Sequence, residues 1–229
     1  MNILGLETAT DACSVALLDE QGRIFSEFNI TPRQHTQYLP IRMDSVLEQS
    51  ELQKSDLTHI AYTNGPGAFT GVRIATSIAQ GLGIGLNIPL IPVSTLAVLA
   101  QQALDEHGGE EQVLVALDAR MGETYTANYR LNTSSQLVEL IGEERLIKLE
   151  LLQAASQGLS AGSGFKARRE EKGIVEESRP VNESIYPTAH ALVRLARYSV
   201  LSNSSVSAEY APINYIRNNV AEKKKVKHV

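Results

Sequence analysis

The sequence predicts an α/β fold of two ribonuclease-H-like lobes, the second of them reduced. Three observations carry this reading. The first half gives three strands in tight succession and then alternating helices and strands, in the order βββαβαβα. The second half restarts the three-strand pattern after Gly108-Gly109-Glu110-Glu111. Each half also ends its first core strand in a carboxylate just before a hairpin, at Glu7 and at Asp118.

The elements follow in order. Asn2 to Glu7 is a short apolar run and reads as a buried strand, ended by the turn-like Thr8-Ala9-Thr10-Asp11. Ala12 to Leu18 and Gly22 to Phe28 complete an antiparallel meander. Thr31-Pro32 precedes a helix over Gln34 to Gln49, with Tyr38, Leu39, Met43, Val46 and Leu47 on its apolar face. Pro40 lies near its start, where a helix tolerates proline best. Thr58 to Thr63 is a fourth strand. The glycine-rich loop Asn64 to Gly71 opens a helix to Gly85, and Ile88 to Val93 is a fifth strand. Ser94 N-caps a helix that ends near Gly108.

Beyond the break, Val113 to Leu117, Glu123 to Tyr129 and Leu137 to Ile141 read as strands. A helix over Leu149 to Gln157, a strand over Leu159 to Gly162 and a helix over Ala189 to Ser202 follow. Lys166 to Asn182 is polar and poorly periodic and reads as irregular surface. The expected division is 1–109 for the first lobe, with the tail 206–229 returning to it, and 110–205 for the second. The basic end, Lys223 to Lys227, reads as a solvated terminus, with direct tRNA contact as the rival reading.

Composition excludes several classes. There is no Trp and only 5% aromatic residues, so the core must be built from Leu, Ile, Val and Ala. A net charge of −5 argues against sequence-independent binding to a polyanion. The lone cysteine, Cys13, excludes an internal disulfide and any multi-cysteine zinc site. It sits in an apolar strand and reads as a core residue. No apolar run reaches about 18 residues, so no transmembrane helix is expected. Met-Asn-Ile-Leu-Gly-Leu-Glu has no basic segment of the signal-peptide kind, so the expected location is cytoplasmic. No Gly-x-x-x-x-Gly-Lys-Ser/Thr loop and no Gly-x-Ser-x-Gly elbow occurs.

Two such lobes in tandem make the actin-like architecture (the ASKHA fold) of ATPases and sugar kinases. There a nucleotide lies between the lobes, two hairpins hold its phosphates by backbone N–H groups, and strand-end carboxylates manage Mg²⁺ and water. Glu7 and Asp118 stand in those places; ordinary turn capping is the competing use. The hairpins are poor in glycine, which a backbone needs for close approach to phosphate. Thr8-Ala9-Thr10 has none, and Ala119-Arg120-Met121 reaches one only at Gly122. The hydroxyls of Thr8, Thr10 and Ser14 would partly substitute, with Arg120 beside the second hairpin. Gly162 and Gly164 would receive an adenine ring or simply turn the chain. The loop Gly65 to Gly71 would bind an anion or pack its helix closely; packing is favoured, since Arg73 is the only cation nearby.

Several strings together resemble one family. They are Leu6-Glu7-Thr8-Ala9-Thr10 with Cys13-Ser14-Val15-Ala16-Leu17, and His35-Thr36-Gln37 with Leu39-Pro40. Gly65-Pro66-Gly67-Ala68-Phe69-Thr70-Gly71-Val72-Arg73-Ile74, Val93-Ser94-Thr95-Leu96 and Asp118-Ala119-Arg120-Met121-Gly122-Glu123 follow, then Tyr215-Ile216-Arg217-Asn218-Asn219-Val220-Ala221. In this order and spacing they resemble the bacterial TsaB (YeaZ) family, least so over 142–205. The Asp-Ala-Arg-Met-Gly-Glu string separates TsaB from its catalytic relative TsaD.

The resemblance implies an actin-like, two-lobed protein that pairs with TsaD. With the small ATPase TsaE the pair makes threonylcarbamoyladenosine on tRNA, and TsaB is the non-catalytic member. The tRNA would be met mainly through the complex, with no membrane partner. The family is also grouped with M22 peptidase homologues, which is not taken as an activity. In TsaD two histidines at i, i+4 bind the metal; the matching positions here are Thr95 and Leu99, so no metal site is expected. No tightly bound cofactor is expected, and ATP or ADP would bind weakly or only within the complex. The rival functions are an independent actin-like ATPase or small-molecule kinase and, behind it, a peptidase.

The helix over Thr70 to Gly85 carries two rows of small residues at i, i+4: Gly71, Ala75, Ala79, Gly83 and Ser77, Gly81, Gly85. One row suits the domain's own sheet and the other an outside helix. A partner interface on this helix and its neighbour is therefore expected, with Tyr38, Leu39, Arg73, Ser77, Ile78, Gly81 and Leu82 as contacts. It would serve the TsaD heterodimer, and a homodimer would compete for it.

Overall fold

The computed structural model describes residues 1–172 and 181–217. The first sheet is built around β1 (Ile3–Glu7), buried along its whole length because it has a strand on each side and helices on both faces. β2 (Ala12–Leu18) runs antiparallel to it with Leu6 opposite Val15, and β3 (Ile24–Ile30) forms the edge. β4 (His59–Thr63) and β5 (Leu90–Val93) extend the other side in parallel, giving the order β3-β2-β1-β4-β5.

The second sheet holds β6 (Gln112–Arg120), β7 (Glu123–Asn132), β8 (Leu137–Lys148), β9 (Leu159–Ala161) and β10 (Val181–Asn182). Its order, read from the other edge, is β8-β7-β6-β9-β10. The two sheets thus repeat one topology: a three-strand meander whose first strand also begins a run of three parallel strands. This duplication is the actin-like architecture.

α1 (His35–Ser50) and α2 (Phe69–Leu86) cover one face of the first sheet. Leu39, Met43, Val46 and Leu47 of α1 and Ala75 and Ala79 of α2 meet Leu4, Leu6, Val15 and Ile60 there. The row Gly71, Ala75, Ala79, Gly83 is the inward one. α3 (Thr95–His107) starts at Ser94, whose Oγ accepts the N–H groups of Leu96 and Ala97, and carries the chain to the second lobe.

Four sequence expectations are corrected. The helix over Leu149 to Gln157 is a single 3-10 turn, Leu149–Leu151. One turn already buries Leu149 and Leu152 beside Phe165, and the chain then has to reach β9. Part of the stretch read as irregular is α4 (Ser163–Lys172). Its apolar signal is little more than Phe165 and Ala167, which pack on that small cluster. The third strand of the second lobe runs on from Ile141 to Lys148 through a bulge, where the partners of Thr126 and Asn128 are Arg145 and Ile141.

The last correction concerns α5 (Ala189–Leu201). It packs on the remaining face of the first sheet, not on the second. Ala189, Leu192, Val193 and Ala196 join Ile3, Ala16, Ala61 and Ile91 in one cluster. The approach is close enough to require Gly5, since a Cβ there would lie 2.6 Å from Val193 Cγ1. After α5, Val206 pairs with Leu90 at the edge of the first sheet. The basic run Lys223 to Lys227 lies outside the described residues.

Candidate functional site

The lobes face each other across a cleft of about 1110 Å³. The β1–β2 hairpin, the loop before α2, the β6–β7 hairpin, the start of α4 and residues 213–217 line it. It is the position in which the architecture holds a nucleotide, so the hairpin amides decide what it can grip.

Each hairpin spends one of those amides internally. Glu7 Oε1 accepts the N–H of Ala9 at 2.7 Å, and Asp118 Oδ1 accepts the N–H of Arg120 at 2.8 Å. Asp118 Oδ2 also pairs with the Arg120 guanidinium at 2.9 Å. Each strand-end carboxylate therefore caps its own turn. Glu7 is fully buried, and burial pushes its carboxyl up to about 7 against the opposing Thr63 hydroxyl and Ala9 N–H. Its Oε2 makes no hydrogen bond.

The hydroxyls expected to assist are committed as well. Thr8 Oγ1 donates to the Gly71 carbonyl at 2.7 Å. Ser14 Oγ donates to the Glu27 carbonyl and accepts the N–H of Ala189, both at 3.0 Å. Thr10 lines the cleft, and its hydroxyl accepts the N–H of Ala12 at 3.3 Å. One amide of each hairpin and the Thr8 and Ser14 hydroxyls are thus already engaged within the chain.

The loop glycines serve packing. A Cβ on Gly71 would overlap the Thr8 carbonyl oxygen, and one on Gly67 would crowd the Ala9 carbonyl. The N–H of Ala68 donates to that Ala9 carbonyl at 2.7 Å. The first hairpin and the start of α2 are thus one interlocked unit. Gly162 and Gly164 do the same in the second lobe, where a Cβ on either would strike Ala116 of β6. They let α4 sit close to the sheet.

Arg217 lies over the second hairpin. Its Nη2 donates to the Ala119 carbonyl at 3.1 Å and pairs with the Glu123 carboxylate. On the other wall Arg73 stacks 3.7 Å over the Phe69 ring and donates to the Tyr215 hydroxyl at 3.2 Å. Sequence reasoning missed Asn214, Glu123 and Glu144. Glu144 accepts the hydroxyls of Ser94 and Tyr129 on Oε1 and the Asn214 amide on Oε2. Burial and this carboxylate raise the Tyr129 hydroxyl's pKa. Only the Tyr-Ile-Arg string flagged Arg217 in the sequence; Glu144 carried no signal, because its bulge is not periodic.

The partner-face residues divide. Ser77 and Gly81 are exposed, and neither Gly81 nor Gly85 has another group within 4 Å of where a Cβ would stand. Arg73 is exposed, and Tyr38, Ile78 and Leu82 are half-buried. Leu39 is corrected: it is wholly buried in the first core and has no surface to offer. Exposed Ile41 and Ile84 extend the apolar part of this face. Thr95 is buried, its Oγ1 unpartnered, and Leu99 is core. Among the described residues no three His, Cys, Asp or Glu side chains converge as metal ligands would. No helix among them is long and apolar enough to cross a membrane.

The comparisons with known proteins agree with this geometry. The profile of TsaD, tRNA N6-adenosine threonylcarbamoyltransferase, matches residues 28–170. The tRNA threonylcarbamoyladenosine biosynthesis protein TsaB of Escherichia coli is 36% identical over 98% of both chains. That of Haemophilus influenzae is 34% identical, over 98% of this chain and 97% of its own. The solved structure of YeaZ from Pseudomonas aeruginosa superposes with a TM-score of 0.84 at 35% identity, covering 93% of this chain and all of that one. Sharing about a third of its residues with these proteins over nearly its full length, the chain belongs to the TsaB (YeaZ) family of tRNA threonylcarbamoyladenosine biosynthesis proteins.

Proposed function

We propose that this chain is the non-catalytic partner that binds and activates TsaD, with TsaE, in threonylcarbamoylation of the adenosine beside the tRNA anticodon. The observation that carries it is the outward row of α2. Glycine in a helix interior costs roughly 0.5–1 kcal/mol against alanine. Gly83 has an internal reason for being small, because a Cβ would meet Leu90 and Ala208. Gly81 and Gly85 have none inside this chain. Close approach by a second chain accounts for them, and Ile41, Ile84 and the half-buried Ile78 and Leu82 supply its apolar rim.

TsaD is the partner assigned to this face, and a second copy of this chain would compete for it. The cleft supports the same reading from the other side. With one amide of each hairpin capped and the Thr8 and Ser14 hydroxyls engaged, it offers a poor hold on ATP, so adenine nucleotides bind weakly or only in the complex. Reconstitution tests the assignment. TsaD, TsaE, threonylcarbamoyl-adenylate and tRNA should yield modified adenosine with this chain and little without it. Equal yields in both would reject it.

A further inference from the structure

Residues 206–217 have no regular structure beyond the Val206–Leu90 bridge, yet both lobes hold them. Tyr62 of β4 donates its hydroxyl to the Pro212 carbonyl at 3.0 Å. The N–H of Asn214 donates to the Asn64 carbonyl at 2.7 Å. These first-lobe contacts are made to backbone and set the register of an extended segment.

The second lobe reads side chains. Glu144 accepts the Asn214 amide at 2.9 Å, and Glu123 pairs with the Arg217 guanidinium. Glu144 can reach because the β8 bulge turns it toward α3, where it also ties down the Ser94 hydroxyl and Tyr129. The Arg217 side chain is only 16% exposed, deep for an arginine outside any helix or strand. Backbone contacts for register and two carboxylates for an amide and a guanidinium three residues apart are the parts of a peptide-recognition site.

We infer that one wall of the interlobe cleft is a peptide site, occupied in cis by residues 212–217, and that this occupant helps to fix the angle between the lobes. Fusion to the chain supplies a high effective concentration, so the site stays filled without high intrinsic affinity. Its ligand class is an extended peptide bearing Asn and, three residues on, Arg.

The test uses the full chain, spin-labelled at one exposed position in each lobe through Asn29→Cys and Glu150→Cys; Cys13 is buried. Pulsed EPR should give one narrow distance distribution in the parent. Asn214→Ala with Arg217→Ala should broaden it. A synthetic Ala-Pro-Ile-Asn-Tyr-Ile-Arg peptide at millimolar concentration should narrow it again, and one with Asn and Arg replaced by Ala should not. Glu123→Gln with Glu144→Gln, which keeps side-chain volume, provides a second opening should the alanine pair melt early. A folded variant of either kind with the parent's distribution would overturn the inference. So would a broadened distribution in the Asn214→Ala, Arg217→Ala variant that is indifferent to the cognate peptide.

Discussion

Glu7 is a carboxylate whose chemistry departs far from what its sequence context suggests. Its carboxyl is raised from 4.5 to about 7 by burial. Between those values the native state keeps a proton that the unfolded chain has released, so stability falls as pH rises from 4.5 to 7 and is level above. The full effect is about 3 kcal/mol. Glu7→Gln should remove this slope, leaving the variant more stable than the parent at pH 8 and closer to it at pH 5; urea unfolding at the two pH values measures it. Glycines give a second residue-scale prediction. Gly71→Ala places a methyl on the Thr8 carbonyl and should cost about 1–3 kcal/mol. Gly85→Ala meets nothing and should add about 0.5–1 kcal/mol, read as opposite shifts in melting temperature. The sequence showed that Glu7 ends a strand before a hairpin. It could not show that the Ala9 amide faces the carboxylate, because that depends on the backbone path of the turn.

At the scale of elements, α2 has an inner and an outer row of small residues, and substitutions should separate them. Ser77→Leu and Gly81→Leu should abolish capture of TsaD with little change in melting temperature. Gly83→Val should lower the melting temperature by several degrees, because its side chain collides with Leu90 and Ala208. A pull-down paired with a melting curve reads both, and intact capture by folded variants of the outer row would place the interface elsewhere. Both rows were legible in the sequence, since i, i+4 spacing maps onto a helix face. Which row faced inward was not; the burial of Leu39 was, since it shares the apolar face of α1 with Met43, Val46 and Leu47, and naming it as a partner contact overlooked that. α4 escaped notice for a related reason: a short helix that buries one phenylalanine has almost no period to detect. The bulge in β8 was equally hidden, because it breaks the alternation that defines a strand.

At the scale of the molecule, the cleft should be a poor nucleotide site. Calorimetry on the isolated chain should show ATP affinity no better than roughly 10⁻⁴ M, and micromolar binding would contradict the self-capped hairpins. The duplicated topology was visible from the restart of the meander, whereas the path of α5 back to the first sheet was not. Nothing in an amphipathic helix names which of two similar sheets it will cover. That path has a consequence for synthesis on the ribosome. The face of the first sheet formed by Ile3, Ala16, Ala61 and Ile91 receives α5 only after the whole second sheet has been made. At about 5–20 residues per second the delay between β5 and α5 is on the order of 5–20 s. For that time a nascent chain with five finished strands still lacks the helix that covers this apolar face, so co-translational folding of the first sheet stays incomplete until α5 emerges.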